Sequence, residues 1–124
     1  MAGTIRILIA EDNEDLRCTM VSMLDAESDM RCVAETAELD KVGALAASTS
    51  PQVVILDLEL KGQSSLTVLA KLKSQLPAAR FLVYSGHGLP ALAEAALAAG
   101  ATEYVLKSGD PYELIDAVRR CAQS

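Results

Sequence analysis

The sequence predicts one α/β domain, an open parallel five-stranded sheet doubly wound by helices on both faces. Three observations predict it. Short apolar runs recur along the chain, stretches of helical period lie between them, and 124 residues leave room for one hydrophobic core. A β-α unit repeated five times gives right-handed crossovers. Strands covered on both faces then read as near-continuous apolar runs rather than alternating ones.

The first strand is Ile5–Ala10, apolar at every position but Arg6 and too short for a helix. Asn13 caps a first helix whose buried stripe is Leu16, Met20, Met23 and Leu24. A weaker strand over Met30–Ala34 precedes a helix rich in Ala and Leu from Leu39 to Ser48. The third strand is Val53–Leu56, and Ser64-Ser65 introduce a helix with Leu66, Leu69, Leu72 and Leu76 on one face. The fourth strand, Phe81–Tyr84, leads to a helix over Pro90–Ala99 that Gly100 terminates. The fifth strand is Tyr104–Leu106. The last helix has the clearest start: Asp110 caps it, Pro111 takes the first position and Glu113 completes a capping-box-like pattern. Leu114, Ile115, Val118 and Cys121 or Ala122 supply its buried stripe.

With 51% apolar and 23% charged residues, the composition is that of a soluble globular chain rather than a disordered or fibrous one. Seventeen acidic against eleven basic residues give a net charge of −6, which disfavours nonspecific binding to nucleic acid or anionic membrane. No run approaches the roughly 18 apolar residues of a membrane span, and Met1 to Arg6 lack the form of a signal peptide, so a cytoplasmic protein is expected. Cys18, Cys32 and Cys121 are odd in number and share no ligand spacing. They are expected to be buried or half-buried thiols, and Met20 and Met23 to serve packing.

In such sheets function lies beyond the carboxyl ends of the strands. There the sequence places Glu11-Asp12 after the first strand, Asp57 after the third, Ser85 after the fourth and Lys107 after the fifth. Carboxylates ~4 Å apart repel by roughly 4 kcal/mol at an effective dielectric near 20, so the trio calls for a cation or protons. Oxygen ligands without a His or Cys cluster select Mg²⁺ or Mn²⁺. Metal and lysine together accept an anion, a hydroxyl at Ser85 reaches one of its oxygens, and Asp57 is a nucleophile suited to forming an aspartyl-phosphate. No Gly-rich phosphate loop occurs, so the phosphoryl group comes from a partner. Taken singly, these residues read equally as a solvated turn, a helix cap or a surface lysine; it is their conjunction that points to this chemistry.

Along nearly its whole length the chain resembles the receiver domains of two-component response regulators. Glu11-Asp12 resemble the acidic pair, Asp57 in Val-Ile-Leu-Asp-Leu-Glu-Leu the phospho-acceptor, Ser85 the switch hydroxyl, Lys107 the lysine and Tyr104 the aromatic switch. Ser108 after the lysine, with the later Asp-Pro-Tyr-Glu-Leu-Ile, resembles the subgroup with LuxR-type helix-turn-helix output. The resemblance implies a single-domain flavodoxin-like fold over residues 1–124 with strand order 2-1-3-4-5. It implies that Asp12, Asp57 and the Glu59 main-chain carbonyl bind Mg²⁺ directly and Glu11 through water, and that Glu59 and His87 tune phosphoryl lifetime. A sensor histidine kinase or phosphotransfer protein is the implied donor, a phosphorylation-linked homodimer the implied response, and DNA contact is expected only through an output domain outside this chain. Self-phosphorylation and autodephosphorylation are the only chemistry implied.

Two positions depart from the family pattern: Lys61 stands where a proline is usual and Ser65 where a glycine is usual. They put the rigidity of this loop in question, and Lys61 is expected to bring a second ammonium near the acids. Gly86-His87-Gly88 should make the loop after Ser85 mobile. A degenerate receiver acting as a phosphorylation-independent interaction module is the alternative. A Mg²⁺-dependent phosphatase is a further one, disfavoured because 124 residues leave no space for a substrate-covering cap.

Overall fold

In chain order the elements are β1 (Ile5–Ala10), α1 (Glu14–Asp25), β2 (Met30–Thr36), α2 (Val42–Thr49), β3 (Val53–Asp57), β4 (Glu59–Leu60), β5 (Gln63–Ser64), α3 (Leu66–Gln75), β6 (Arg80–Ser85), α4 (Pro90–Ala98), β7 (Glu103–Leu106) and α5 (Pro111–Gln123). A 3-10 turn, Leu39–Lys41, leads into α2. The structure is a computed structural model that describes residues 3–124; Met1 and Ala2, part of the stretch read as lacking a leader, lie outside the described residues.

Five strands form one parallel sheet in the order β2-β1-β3-β6-β7. Counting only its own strands, this is the expected order 2-1-3-4-5. Alternate side chains of the sheet face opposite layers. Leu8, Val54, Leu56, Phe81 and Val83 pack with Val42, Ala46, Leu69, Leu72 and Ala96 from α2, α3 and α4. Ile7, Ile9, Ile55, Leu82 and Val105 pack with Met20, Leu24, Leu114, Ile115 and Val118 from α1 and α5. Each of these Val, Leu, Ile, Phe and Met side chains contributes roughly 1.5–3 kcal/mol on burial, and the two layers hold the strand ends in fixed register. That register is what positions the site.

The local signals act mostly as expected. Asn13 accepts the Leu16 N–H at 3.0 Å and Asp110 the Tyr112 N–H at 3.0 Å. Gly100 follows α4 with φ +118°, a conformation open to glycine. Other details differ. The Glu113 carboxylate accepts from the Ser108 hydroxyl at 2.8 Å, and that hydroxyl accepts the Asp110 N–H at 3.3 Å, so a serine bridges the capping box. Edge strand β2 runs on to Thr36, and Leu106, the last residue of edge strand β7, is 40% exposed. Cys32 is half-buried and Cys121 buried, as expected, but Cys18 is exposed. Burial pushes the Cys32 thiol up to about 12 and that of Cys121 to about 11, which keeps both in the thiol form near neutral pH.

Candidate functional site

Parallel strands send their carboxyl ends to one edge, so the residues that end β1, β3, β6 and β7 meet there. Glu11 leaves β1 with its N–H on the Thr36 carbonyl at 3.0 Å, and its own carbonyl accepts from Arg17 Nη1 at 2.8 Å. Its side chain is 2% exposed. One carboxylate oxygen accepts the Asn13 N–H at 3.0 Å and the other accepts from Lys107 Nζ at 2.9 Å. The same ammonium lies 3.3 Å from Asp57 Oδ2 and 5.6 Å from the centroid of the Tyr84 ring. Lys107 is steered there by its main chain, whose N–H donates to the Ser85 carbonyl at 2.7 Å. Asp12, the most open of the three acids, accepts the Lys61 N–H at 2.8 Å.

These contacts set the charges. Burial lifts the Glu11 carboxyl above the ordinary glutamate range, against the pull of the Asn13 N–H and Lys107. The Lys61 N–H holds Asp12 below the usual aspartate range. Burial alone would depress the Lys107 ammonium, but its bond to Glu11 and the charges of Asp57 and Glu11 outweigh that and raise it. One ammonium therefore faces three carboxylates that each offer an oxygen within 4.8 Å of the others. The donor set is oxygen only, crowded and short of positive charge, which fits a hard divalent cation such as Mg²⁺.

Ser85 ends β6 fully buried, and its hydroxyl accepts the His87 N–H at 3.0 Å. Tyr104 packs against the α2-α3-α4 layer, and its hydroxyl donates to the His87 carbonyl at 2.7 Å. The two switch candidates thus grip the two ends of one residue in the loop after β6. Glu59 is exposed, with its N–H 3.5 Å from Asp57 Oδ1, and the His87 residue is exposed.

The family model of the response regulator receiver domain matches residues 7–119. The chain belongs to the response regulator receiver family. A Bacillus subtilis protein described as the uncharacterized transcriptional regulatory protein YvfU is 31% identical over 119 residues, which are 96% of this chain and 60% of that protein. The chain thus spans less than two thirds of its relative's length. The structure of a LuxR-family two-component response regulator from Aurantimonas is 30% identical, with a TM-score of 0.91 over 98% of this chain and 86% of that one. A response regulator from Burkholderia pseudomallei, solved with a phosphorylated aspartic acid, a calcium ion and citrate, is 26% identical, with a TM-score of 0.81 over 95% and 68% of the two chains. Receiver domains bind Mg²⁺ at an acidic pocket, and Glu11, Asp12 and Asp57 form an acidic cluster in this receiver.

The loop after Asp57 forms the two short strands β4 and β5. The Lys61 ammonium lies 3.5 Å from Glu38 and makes no ion pair with the acidic trio; it is the Lys61 main chain that reaches the site. Ser65 is buried rather than capping α3, and its hydroxyl and N–H both donate to the Leu58 carbonyl, at 3.1 and 2.8 Å. Sequence reasoning missed the β4-β5 hairpin, which holds Lys61 in its turn and ends just before Ser65. Its signal was Gly62 after Lys61, a residue that tolerates the backbone of a tight turn. Arg17, which fixes the Glu11 carbonyl, was also missed and carries no signal beyond its place on α1.

Proposed function

We propose that Asp57 accepts a phosphoryl group from the phosphohistidine of a sensor histidine kinase or phosphotransfer protein, and that the domain thereby switches an output surface. One observation carries this reading: the acidic trio, with Lys107 Nζ 2.9 Å from Glu11 and 3.3 Å from Asp57, sits at the carboxyl edge of a receiver sheet. The Burkholderia neighbour with a phosphorylated aspartate and a divalent ion supports it.

Asp12, Asp57 and the Glu59 carbonyl would hold Mg²⁺ directly and Glu11 through water. Bound there, the ion supplies positive charge to the transferring phosphoryl oxygens. An Asp57 oxygen attacks phosphorus; the O–P bond forms as the P–N bond of the donor histidine breaks, and the imidazole leaves with the proton already on its other nitrogen. Lys107, freed from part of its attraction to Asp57 as that carboxylate becomes an acyl phosphate, turns its charge to the new group. Ser85 then exchanges the His87 N–H for a phosphoryl oxygen. His87 loses one of its two holds, and Tyr104, bonded to its carbonyl, moves with it. Glu59 and the His87 side chain flank the path of attacking water and tune the lifetime of the phosphoryl group.

The response extends to a homodimer and to DNA through an output domain outside these residues, in the cytoplasm where the donor's phosphohistidine resides. ¹⁹F NMR with beryllofluoride and Mg²⁺ tests the acceptor. A single bound signal that disappears in Asp57→Asn is expected, and a signal that survives that substitution contradicts it.

A further inference from the structure

The two departures from the receiver pattern, Lys61 and Ser65, belong to one piece of structure. β4 and β5 pair antiparallel, Glu59 opposite Ser64 and Leu60 opposite Gln63, so Lys61-Gly62 is a two-residue turn. Both turn residues have positive φ, 50° and 80°, as a type I′ hairpin turn requires. A lysine adopts that conformation rarely. In return, its N–H meets the neighbouring loop and donates to Asp12 Oδ2 at 2.8 Å. Ser65 closes the hairpin's base with two bonds to the Leu58 carbonyl, next in chain to the phospho-acceptor candidate. The loop that departs from the family pattern is therefore tied at both ends, one of them to a carboxylate of the acidic trio. A proline at this position has no N–H and a φ fixed near −65°, so it cannot make this bond.

We propose that the main-chain N–H of Lys61 is a positioning donor for the cation site, holding the Asp12 carboxylate beside Glu11 and Asp57 through the Lys61-Gly62 turn. The proposal rests on the reading of this trio as a Mg²⁺ site. A carboxylate ligand free to rotate binds a cation less well than one already oriented, and losing a hydrogen-bond partner of a ligand lowers metal affinity by about 10–100-fold.

The test is Mg²⁺ titration, read from the amide shifts of Asp12, Asn13 and Glu59, on the parent and on a semisynthetic chain in which an ester oxygen replaces the residue-61 N–H. Lys61→Pro removes the same donor by a genetic route, and Lys61→Asn keeps the donor while favouring the I′ turn. The ester and Lys61→Pro are expected to bind Mg²⁺ at least tenfold more weakly than the parent. Lys61→Asn is expected to retain the parent's affinity. An ester chain that binds as tightly as the parent overturns the proposal, and a Lys61→Asn chain weakened beside such an ester would assign the effect to the ammonium, which the ester keeps. Should the altered chains fail to fold, hydrogen exchange in the parent decides. Mg²⁺ is expected to slow exchange at the Lys61 amide, and an amide that exchanges as freely as that of Gly62 in saturating Mg²⁺ overturns the proposal. A parent that takes up no Mg²⁺ overturns the cation reading itself, a result distinct from parent and ester binding equally well.

Discussion

Lys107→Met is the perturbation whose size the structure fixes best. The ammonium serves Glu11 at 2.9 Å and Asp57 at 3.3 Å, in side chains 2% and 12% exposed. At an effective dielectric near 20 each attraction is about 5 kcal/mol gross, and carboxylates left within 4.8 Å repel by about 3–4 kcal/mol. Breaking a buried pair by removing one partner costs about 3–5 kcal/mol, and the 23% exposure of Lys107 reduces this to about 2–3 kcal/mol through screening. The loss depends on pH. Glu11 is already raised above its unfolded value by burial, and removing the ammonium raises it further. A carboxyl raised in the folded state binds its proton more tightly there, so stability is gained as pH falls through the folded pKa and the gain is complete below the unfolded one, at about 1.4 kcal/mol for each tenfold increase in proton affinity. Urea unfolding of parent and variant in EDTA, at pH about 7 and about 5, should show the deficit shrinking at the lower pH. A deficit below about 0.5 kcal/mol at neutral pH, the size of an ordinary surface substitution, refutes the reasoning. So does one of equal size at both pH values.

Arg119 holds Asp29 below the ordinary aspartate range through a direct hydrogen bond. A depressed carboxyl stabilises the fold above its unfolded pKa and ceases to as pH falls through the folded one, so the advantage of the parent over Arg119→Met should fade below pH about 4 in acid-unfolding curves. Asp110→Ala removes the α5 cap bond to Tyr112 and should cost about 1 kcal/mol in urea unfolding. At Gly100, φ is +118° and an added Cβ would lie 3.1 Å from Lys73 Cγ. That lysine is anchored on the Pro77 and Ala79 carbonyls. Gly100→Ala should therefore lower stability by at least about 1 kcal/mol, measured the same way.

The inner strands β1, β3 and β6 were legible because burial on both faces wrote them as near-continuous apolar runs, the edge strands β2 and β7 wrote weaker ones, and the site followed because parallel strands bring their ends together. What stayed hidden was written in backbone geometry rather than side-chain type. β4 and β5 have two residues each, too few for any period, and the donor at Lys61 is its peptide N–H, which every residue but proline carries. Ser64-Ser65 read in sequence only as the lead into a helix, whereas burial beside the Leu58 carbonyl gives the Ser65 hydroxyl a further use. Cys18 was decipherable: two residues from both Leu16 and Met20, it lies about 200° around the helix from the buried stripe.

The central claim is that Asp57 is the phosphoryl acceptor. Treatment with acetyl phosphate and Mg²⁺, followed by borohydride reduction and peptide mapping, tests it most directly, since reduction of an acyl phosphate leaves homoserine at the modified aspartate. Homoserine at position 57 alone, absent without Mg²⁺, is the predicted result. An unmodified chain, or homoserine at position 12 instead, would contradict the account.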